Sequence, residues 1–306
     1  MALRIPDKIQ REAVVSQLSR AKKKLYNAQM EVSTGRKGDK YMSLNKDAGP
    51  EIREEAMLMR VQMYAQNNAY VDQRISRYES AVKNILGIAG IARRELVSAR
   101  NGNPESINNA PVLFGEMLNQ LVGILNYQDL DGRYIFSGSR TNIPPVDPVS
   151  MIVTPPTGGG PDTSYYQGDS TILSVPISQE HTISYGMLAN EAGFEKMMRA
   201  IRLAKTTSYT VPMDQTRIQN SLDTIDQAIE DLGDMLAEIG MYRRSIEDTN
   251  LSHSQFEQYL EEVIGKRLNV DFPSAVTRVS YYTDQVSASY YLIQRINSLS
   301  LINYLK

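Results

Sequence analysis

The chain has 306 residues with no cysteine, no tryptophan and two histidines, His181 and His253, and its 33 Lys and Arg nearly balance 35 Asp and Glu. The lack of Cys excludes disulfides, thiolate nucleophiles and thiolate metal sites, and two distant His argue against an imidazole cage. The charge balance, and the absence of any run of about eighteen apolar residues, point away from a nucleic-acid binder or a membrane span.

At the N-terminus, Met1 to Lys8 carries charges where a cleaved secretory signal needs its apolar segment, so no cleaved signal is expected. Next, Val14, Leu18, Ala21, Leu25, Ala28 and Val32 follow alternating steps of four and three. This is the seam by which one helix seeks another. Lys22, Lys23 and Lys24 fall between seam positions and suit a solvated face. The polar, Gly-containing stretch Ser33 to Asp39 ends the helix.

A longer seam follows Gly49-Pro50, running from Met57 through Val61, Tyr64, Asn68, Val71, Ile75, Tyr78, Val82, Ile85, Ala89, Ala92 and Leu96 to Ala99. A helix over about 51–100 would extend roughly 75 Å, too long for a compact core. Asn68 lies on the seam itself, where a polar residue costs stability but fixes register, with Val71 and Ile75 as its apolar neighbours. Asn101 to Pro104 closes this helix, and a shorter one follows with Phe114, Leu118, Leu121 and Leu125 on its stripe.

Between about 132 and 190 the helical period disappears. Tyr134-Ile135-Phe136 is strand-like, Pro and Gly crowd residues 144–161, and Thr171–Val175 and His181–Tyr185 alternate as short strands do. The helical spacing resumes at Phe194, breaks at Thr206–Pro212, and returns as Ile218, Leu222, Ile225, Ile229, Leu232, Leu236, Ile239, Arg243 and Ile246. Asn269-Val270-Asp271 interrupts it. A last seam reads Phe272, Ala275, Val279, Tyr282, Val286, Ser289, Ile293 and Ile296.

Motifs of the kind that carry chemistry fail on their residues and spacing. Asp129-Leu130-Asp131-Gly132 opens like a calcium loop, but Arg133 and Tyr134 stand where an oxygen ligand and a Gly are needed, so a turn is expected. Gly158-Gly159-Gly160 is followed by Pro161 and not by the Lys-Ser/Thr of a phosphate loop. His253 lies between Ser252 and Ser254 and reads as solvated; His181 reads as surface. An enzyme carried by the central region would need acids and a base converging around His181, Asp162 and Asp169. No catalytic residue, cofactor or metal ligand is assigned.

Several of these segments also match a known family. Val32-Ser33-Thr34-Gly35-Arg36 resembles the signature closing the first helix of flagellins and their junction relatives. Asn126 to Gly138 resembles the corresponding stretch of the hook-associated protein 3 family, with Tyr134, Phe136 and Gly138 in its most characteristic part. Tyr166-Gln167-Gly168-Asp169 and the ending Ser298 to Leu305 are similar to two further segments of that family. Leu44 to Pro50 departs from the family pattern, which bears on the linker between the end helices and the rest.

Composition and seams lead to a mainly α fold with a small inserted β-rich domain, an elongated rod of long antiparallel helices whose terminal helices pair as a coiled coil. The expected division is 1–42 and 268–306 as the terminal coiled-coil helices, 43–138 and 194–267 as two halves of a helical rod, and 139–193 as the insertion. The resemblance adds that the terminal helices form an inner layer of a tubular axial structure, that the insertion faces outward, and that Tyr134, Phe136 and Gly138 fix the rod–insertion junction. It implies a structural, non-enzymatic subunit at the hook–filament junction, outside the cell. Export through the flagellar type III channel without cleavage is expected, with the chain itself, an adjacent hook-associated protein and flagellin as partners. A cytoplasmic chaperone would guard the C-terminal helix. The alternative within the same layout is flagellin, the propagating filament subunit.

Overall fold

The stepwise apolar spacing becomes six α-helices in the computed structural model, which describes residues 4–37, 48–147, 161–210 and 212–302. In chain order they are α1 (Arg4–Thr34), α2 (Ala48–Arg100), α3 (Pro104–Leu125), α4 (Ala192–Lys205), α5 (Gln215–Leu268) and α6 (Phe272–Ile302). Two three-residue strands, β1 (Ser174–Pro176) and β2 (Thr182–Ser184), pair antiparallel between α3 and α4. The linker departure at 44–47, most of the Pro/Gly stretch and the last three residues of the family-like ending lie outside the described residues.

Local chemistry sets the helix ends. Gly35 and Gly102 follow α1 and α2 with φ of +69° and +84°, the left-handed geometry that closes a helix. Asn103 caps α3, its side chain accepting from the Glu105 and Ser106 amides at 3.0 and 3.4 Å, while Pro104 occupies the first turn, where no amide donor is missed.

The chain divides into two compact units. One consists of 1–60 with 255–306, the other of 61–254. In the first, α1 and α6 run side by side and antiparallel. Arg36 bridges Asn269, Glu31 accepts a 2.5 Å ion pair from Arg278, and Lys24 and Lys22 lie over the rings of Tyr282 and Tyr290 at 5.7 and 5.1 Å. The lysine run read as a solvated face therefore contributes cation–π contacts to the pairing. Arg267 near the end of α5 also reaches Glu54 of α2 at 3.2 Å.

The second unit holds a continuous core built from the later part of α2, α3, α4 and the earlier part of α5. Val61, Asn68, Val71, Ile75, Tyr78, Val82, Ile85, Ala89, Ala92, Leu96 and Ala99, all taken from the seam, are buried there. Opposite them Ile218, Leu222, Ile225, Leu232, Ile239 and Ile246 are buried on α5. Cross-helix contacts give an antiparallel register: Tyr64 stacks on His253, Asn68 bonds Asn250, Arg93 pairs with Asp226 and Arg100 with Gln219. Arg243, which the spacing puts on the α5 seam, is exposed and holds Asp72 and Glu79 of α2 at 3.1 and 2.9 Å.

The central region contains less strand than its alternating pattern predicts. Tyr134 makes one isolated bridge to Gln128, and among the described residues of 139–191 only β1 and β2 form a ladder. Side chains hold the rest: Asn126 exchanges two hydrogen bonds of 2.9 Å with the Val146 backbone, and Asp162 and Asp169 bond nearby amides. Such side-chain-to-backbone bonds compete with a ladder, which explains why alternation alone overstates the strands.

Candidate functional site

The candidate surfaces are those where distant segments meet or where large side chains stay exposed. The first is the α1–α6 pair. Ala21, Ala28, Ala275 and Ser289 are buried between the helices, while Val14, Leu18, Leu25 and Val32 of α1 and Val279, Tyr282, Val286, Ile293 and Ile296 of α6 are only half-buried. Two helices alone leave the flanks of large seam side chains open, because each is faced by a single partner helix. Phe272 stands apart from the predicted seam at 56% exposed. It is the first residue of α6, level with the end of α1 at Thr34, so no further turn remains to cover it. Elsewhere on the two helices Tyr26, Met30, Tyr281, Tyr290, Tyr291 and Leu292 are exposed.

The second is a clasp in the other unit, built from two of the sequence motifs. Phe136 is fully buried between Tyr78 of α2 and Phe194 of α4, with ring centroids 5.2 and 5.7 Å away and both contacts edge-on, a favoured aromatic geometry. The Tyr78 hydroxyl donates to the Ile135 carbonyl at 2.9 Å. Its burial raises its pKa, so it remains a donor. The Ala189 amide donates to the Phe136 carbonyl at 3.0 Å, bringing the chain before α4 onto the same strut.

Gly138 follows with φ +68°, and a Cβ there would overlap the Asp169 carboxylate and lie 2.8 Å from its carbonyl oxygen. A Cβ on Gly168 would overlap the Tyr166 hydroxyl and come within 2.6 Å of the Ser137 carbonyl. Both glycines thus permit close backbone approach. Asp169 accepts from the Ser139 and Thr171 amides at 2.9 and 3.1 Å and from the Ser139 hydroxyl, and Tyr166 donates to the Asp169 carbonyl at 2.7 Å. The sequence placed these motifs separately; the fold joins them.

The Ser139 hydroxyl and amide and the Thr171 amide hold the Asp169 carboxyl down at about 2. A depressed acid contributes its full stabilisation above the unfolded value near 4 and loses it as pH falls through the folded one. Titration from pH 4 downward should therefore shift the Ser139 and Thr171 amide resonances together with a midpoint near 2. A midpoint near 4 would mean that these bonds do not hold the carboxylate. Asp169→Asn should abolish the titration.

Sequence reasoning missed a third cluster. Arg202 of α4, whose side chain is 3% exposed, pairs with Asp162 at 2.7 Å. Glu195 of the same helix accepts from the Asp162 amide at 2.8 Å and from Arg199 at 2.9 Å. Burial pushes the Asp162 carboxyl up, but bonds from Ser164 and Arg202 outweigh it and lower its pKa. On α4 these charges face inward, a placement that local spacing does not announce.

The polar groups weighed for chemistry have structural partners. The buried Asn68 amide donates to the Ile177 carbonyl at 3.1 Å and to Asn250 at 2.8 Å. His253, read as solvated, is half-buried, with Nε2 3.0 Å from that same carbonyl. Ile177 follows β1, so one carbonyl ties the hairpin to both long helices. Asp129 accepts from the Asp131 and Arg133 amides at 2.9 Å, and Gly132 has φ +74°, giving the expected turn. His181 is exposed in the hairpin connection, while Asp162 and Asp169 each serve separate backbone knots. The structure does not gather these three into one constellation.

A family model for the bacterial flagellin C-terminal helical region matches residues 222–305. Among solved structures, a provisionally assigned flagellar hook-associated protein from Vibrio parahaemolyticus superposes with a TM-score of 0.60 at 18% identity, covering 73% of this chain and 99% of that one. FlgL from Bacillus cereus gives 0.56 at 16% identity, covering 71% and 99%. Flagellar hook-associated protein 3 from Legionella pneumophila gives 0.57 at 13% identity, covering 70% and 97%. No curated protein sequence matches significantly. Residues 222–305 thus match the helical region that ends flagellins, in line with the resemblance read from the motifs, and the chain shares the fold of solved hook-associated proteins.

Proposed function

We propose that this chain is a structural subunit of the bacterial flagellum that joins hook to filament by side-by-side polymerisation, without catalytic turnover. The observation carrying this reading is the half-open α1–α6 seam, whose large side chains stay partly exposed within one chain. Copies packed alongside would cover it and convert the pair into a coiled-coil layer. The flagellin-type C-terminal region and the hook-associated fold support the same reading.

On this reading 1–42 and 268–306 form the inner layer, 43–138 and 194–267 the rod, and 139–193 the outer insertion held by Tyr134, Phe136 and Gly138. Asn68, with Val71 and Ile75, sets the register. The neighbours are further copies, an adjacent hook-associated protein and flagellin. The subunit works outside the cell after uncleaved export through the flagellar type III channel. A cytoplasmic chaperone covers the α6 seam before export, when its apolar residues would otherwise invite aggregation.

Because residues 222–305 match flagellin, a filament subunit is the second reading. Labelled antibody on intact cells separates the two. A single short band beyond the hook is the expected result; staining along the whole filament would replace the junction with flagellin, and no flagellar staining would end both readings.

A further inference from the structure

On α2, two surface features of the 61–254 unit lie at one level. Tyr70, Arg74 and Arg77 border an open groove beside the turn that carries Tyr127 and Leu130. Ala69, Asp72 and Glu79 border a second groove, of about 950 Å³, closed on its other side by Ala237, Gly240 and Met241 of α5. At 3.6 residues per turn the two sets point roughly 150° apart around α2. They span the same turns, and the Leu130 turn projects at the rim of the first groove.

The projecting turn is rigid. Leu130 is fully exposed, yet its turn is closed by the Asp129 carboxylate accepting from the Asp131 and Arg133 amides, and by the Gly132 amide donating to the Asp129 carbonyl at 3.0 Å. An apolar side chain held outward on a fixed turn carries little ordering cost on docking. The exposed Asp131 stands beside it.

The second groove sets the small residues Ala237 and Gly240 among charged ones. A Cβ built on Gly240 meets nothing within 4 Å, so internal packing does not require glycine in this helix interior, where it costs about 0.5–1 kcal/mol relative to Ala. Met241 is 65% exposed at the rim. Arg243 is engaged by Asp72 and Glu79, while the exposed Arg244 lines the groove with Glu247 one turn on.

We infer that the Leu130 turn of one copy inserts into the α2–α5 groove of the next, Leu130 over Ala237 and Gly240 and Asp131 against Arg244. Knob and groove are different patches of the same chain, so the contact is head-to-tail and repeats from copy to copy. Their common level on α2 lets parallel copies meet without an axial shift. This deepens the proposed side-by-side polymerisation by naming the contacting faces.

The natural chain has no cysteine, so introduced thiols are the only ones present. In the purified full-length chain at high concentration, the double variant Leu130→Cys/Ala237→Cys should give a ladder of oxidised multimers. Mixing the two single variants should stop at mixed dimers, and neither alone should exceed background. Asp131→Arg in the double variant should reduce the ladder roughly tenfold, and adding Arg244→Glu should restore it. Circular dichroism and maleimide labelling establish that each variant is folded and each thiol reactive. With both established, absence of the ladder overturns the inference, as do Leu130→Cys homodimers of equal yield or an Asp131→Arg loss that Arg244→Glu leaves unchanged. The antibody test reads location without this contact, so a band beyond the hook with no ladder rejects only the knob and groove.

Discussion

Phe136→Ala should lower the stability of the 61–254 unit by about 3–5 kcal/mol, the cost of removing a buried aromatic and leaving a cavity. The position is enclosed by Tyr78 of α2 and Phe194 of α4, three rings from three distant parts of the sequence. Neighbouring backbone cannot collapse freely into the space, because the Phe136 carbonyl accepts from Ala189 and the Ile135 carbonyl from Tyr78. Thermal unfolding of the full chain should show a loss of roughly 10 °C in the transition of this unit. Phe136→Leu, which retains most of the volume, should lose clearly less. Equal losses would show that bulk at this point is not what joins α2 to α4.

Gly138→Ala should cost about 2–4 kcal/mol, well above the usual price of a surface alanine, because two penalties coincide. The φ of +68° disfavours any side chain, and the new methyl would overlap the Asp169 carboxylate. The two terms separate in a double-mutant cycle. In an Asp169→Ala background the overlap with the carboxylate disappears while the backbone penalty and the approach to the Asp169 carbonyl remain, so Gly138→Ala should cost distinctly less there. If its cost were the same in both backgrounds, the two motifs would not be coupled through that carboxylate, and the clasp would reduce to a turn preference.

The helices and their breaks were legible in the sequence because each carries a long periodic stripe. Val71 to Ala99 on α2 and Ile218 to Ile246 on α5 repeat one physical instruction many times over. The break residues are equally explicit, as at Asn101-Gly102-Asn103-Pro104. Arg243 shows the limit of spacing: it falls on the stripe, but its charge turns it outward to two acids of α2. Phe272 shows another, since spacing does not say where a partner helix ends.

The centre of the chain was less readable. Its order rests on one-off pairings such as Gly138 with Asp169, Asp162 with Arg202, and Ile177 with both Asn68 and His253. None of these repeats, and the partners lie from about thirty to more than one hundred residues apart, so periodicity has nothing to detect. Family-like motifs marked Phe136, Gly138 and Asp169 as notable but gave no hint that they meet. Glu195 and Arg202 carried no signal at all, because charged residues on a helix ordinarily face water.

The matched contacts of α2 and α5 have a consequence for how such a chain can change over generations. From Tyr64 with His253 to Arg100 with Gln219, each step along one helix is answered by a step back along the other. A single deleted residue within this span would turn everything beyond it by about 100° and pull one member of every later couple off its mate. Tolerated insertions should therefore come as whole sevens, twinned in both helices, whereas the exposed connections can lengthen freely. Length in this part of the chain is inherited as a joint property of two segments that lie more than a hundred residues apart.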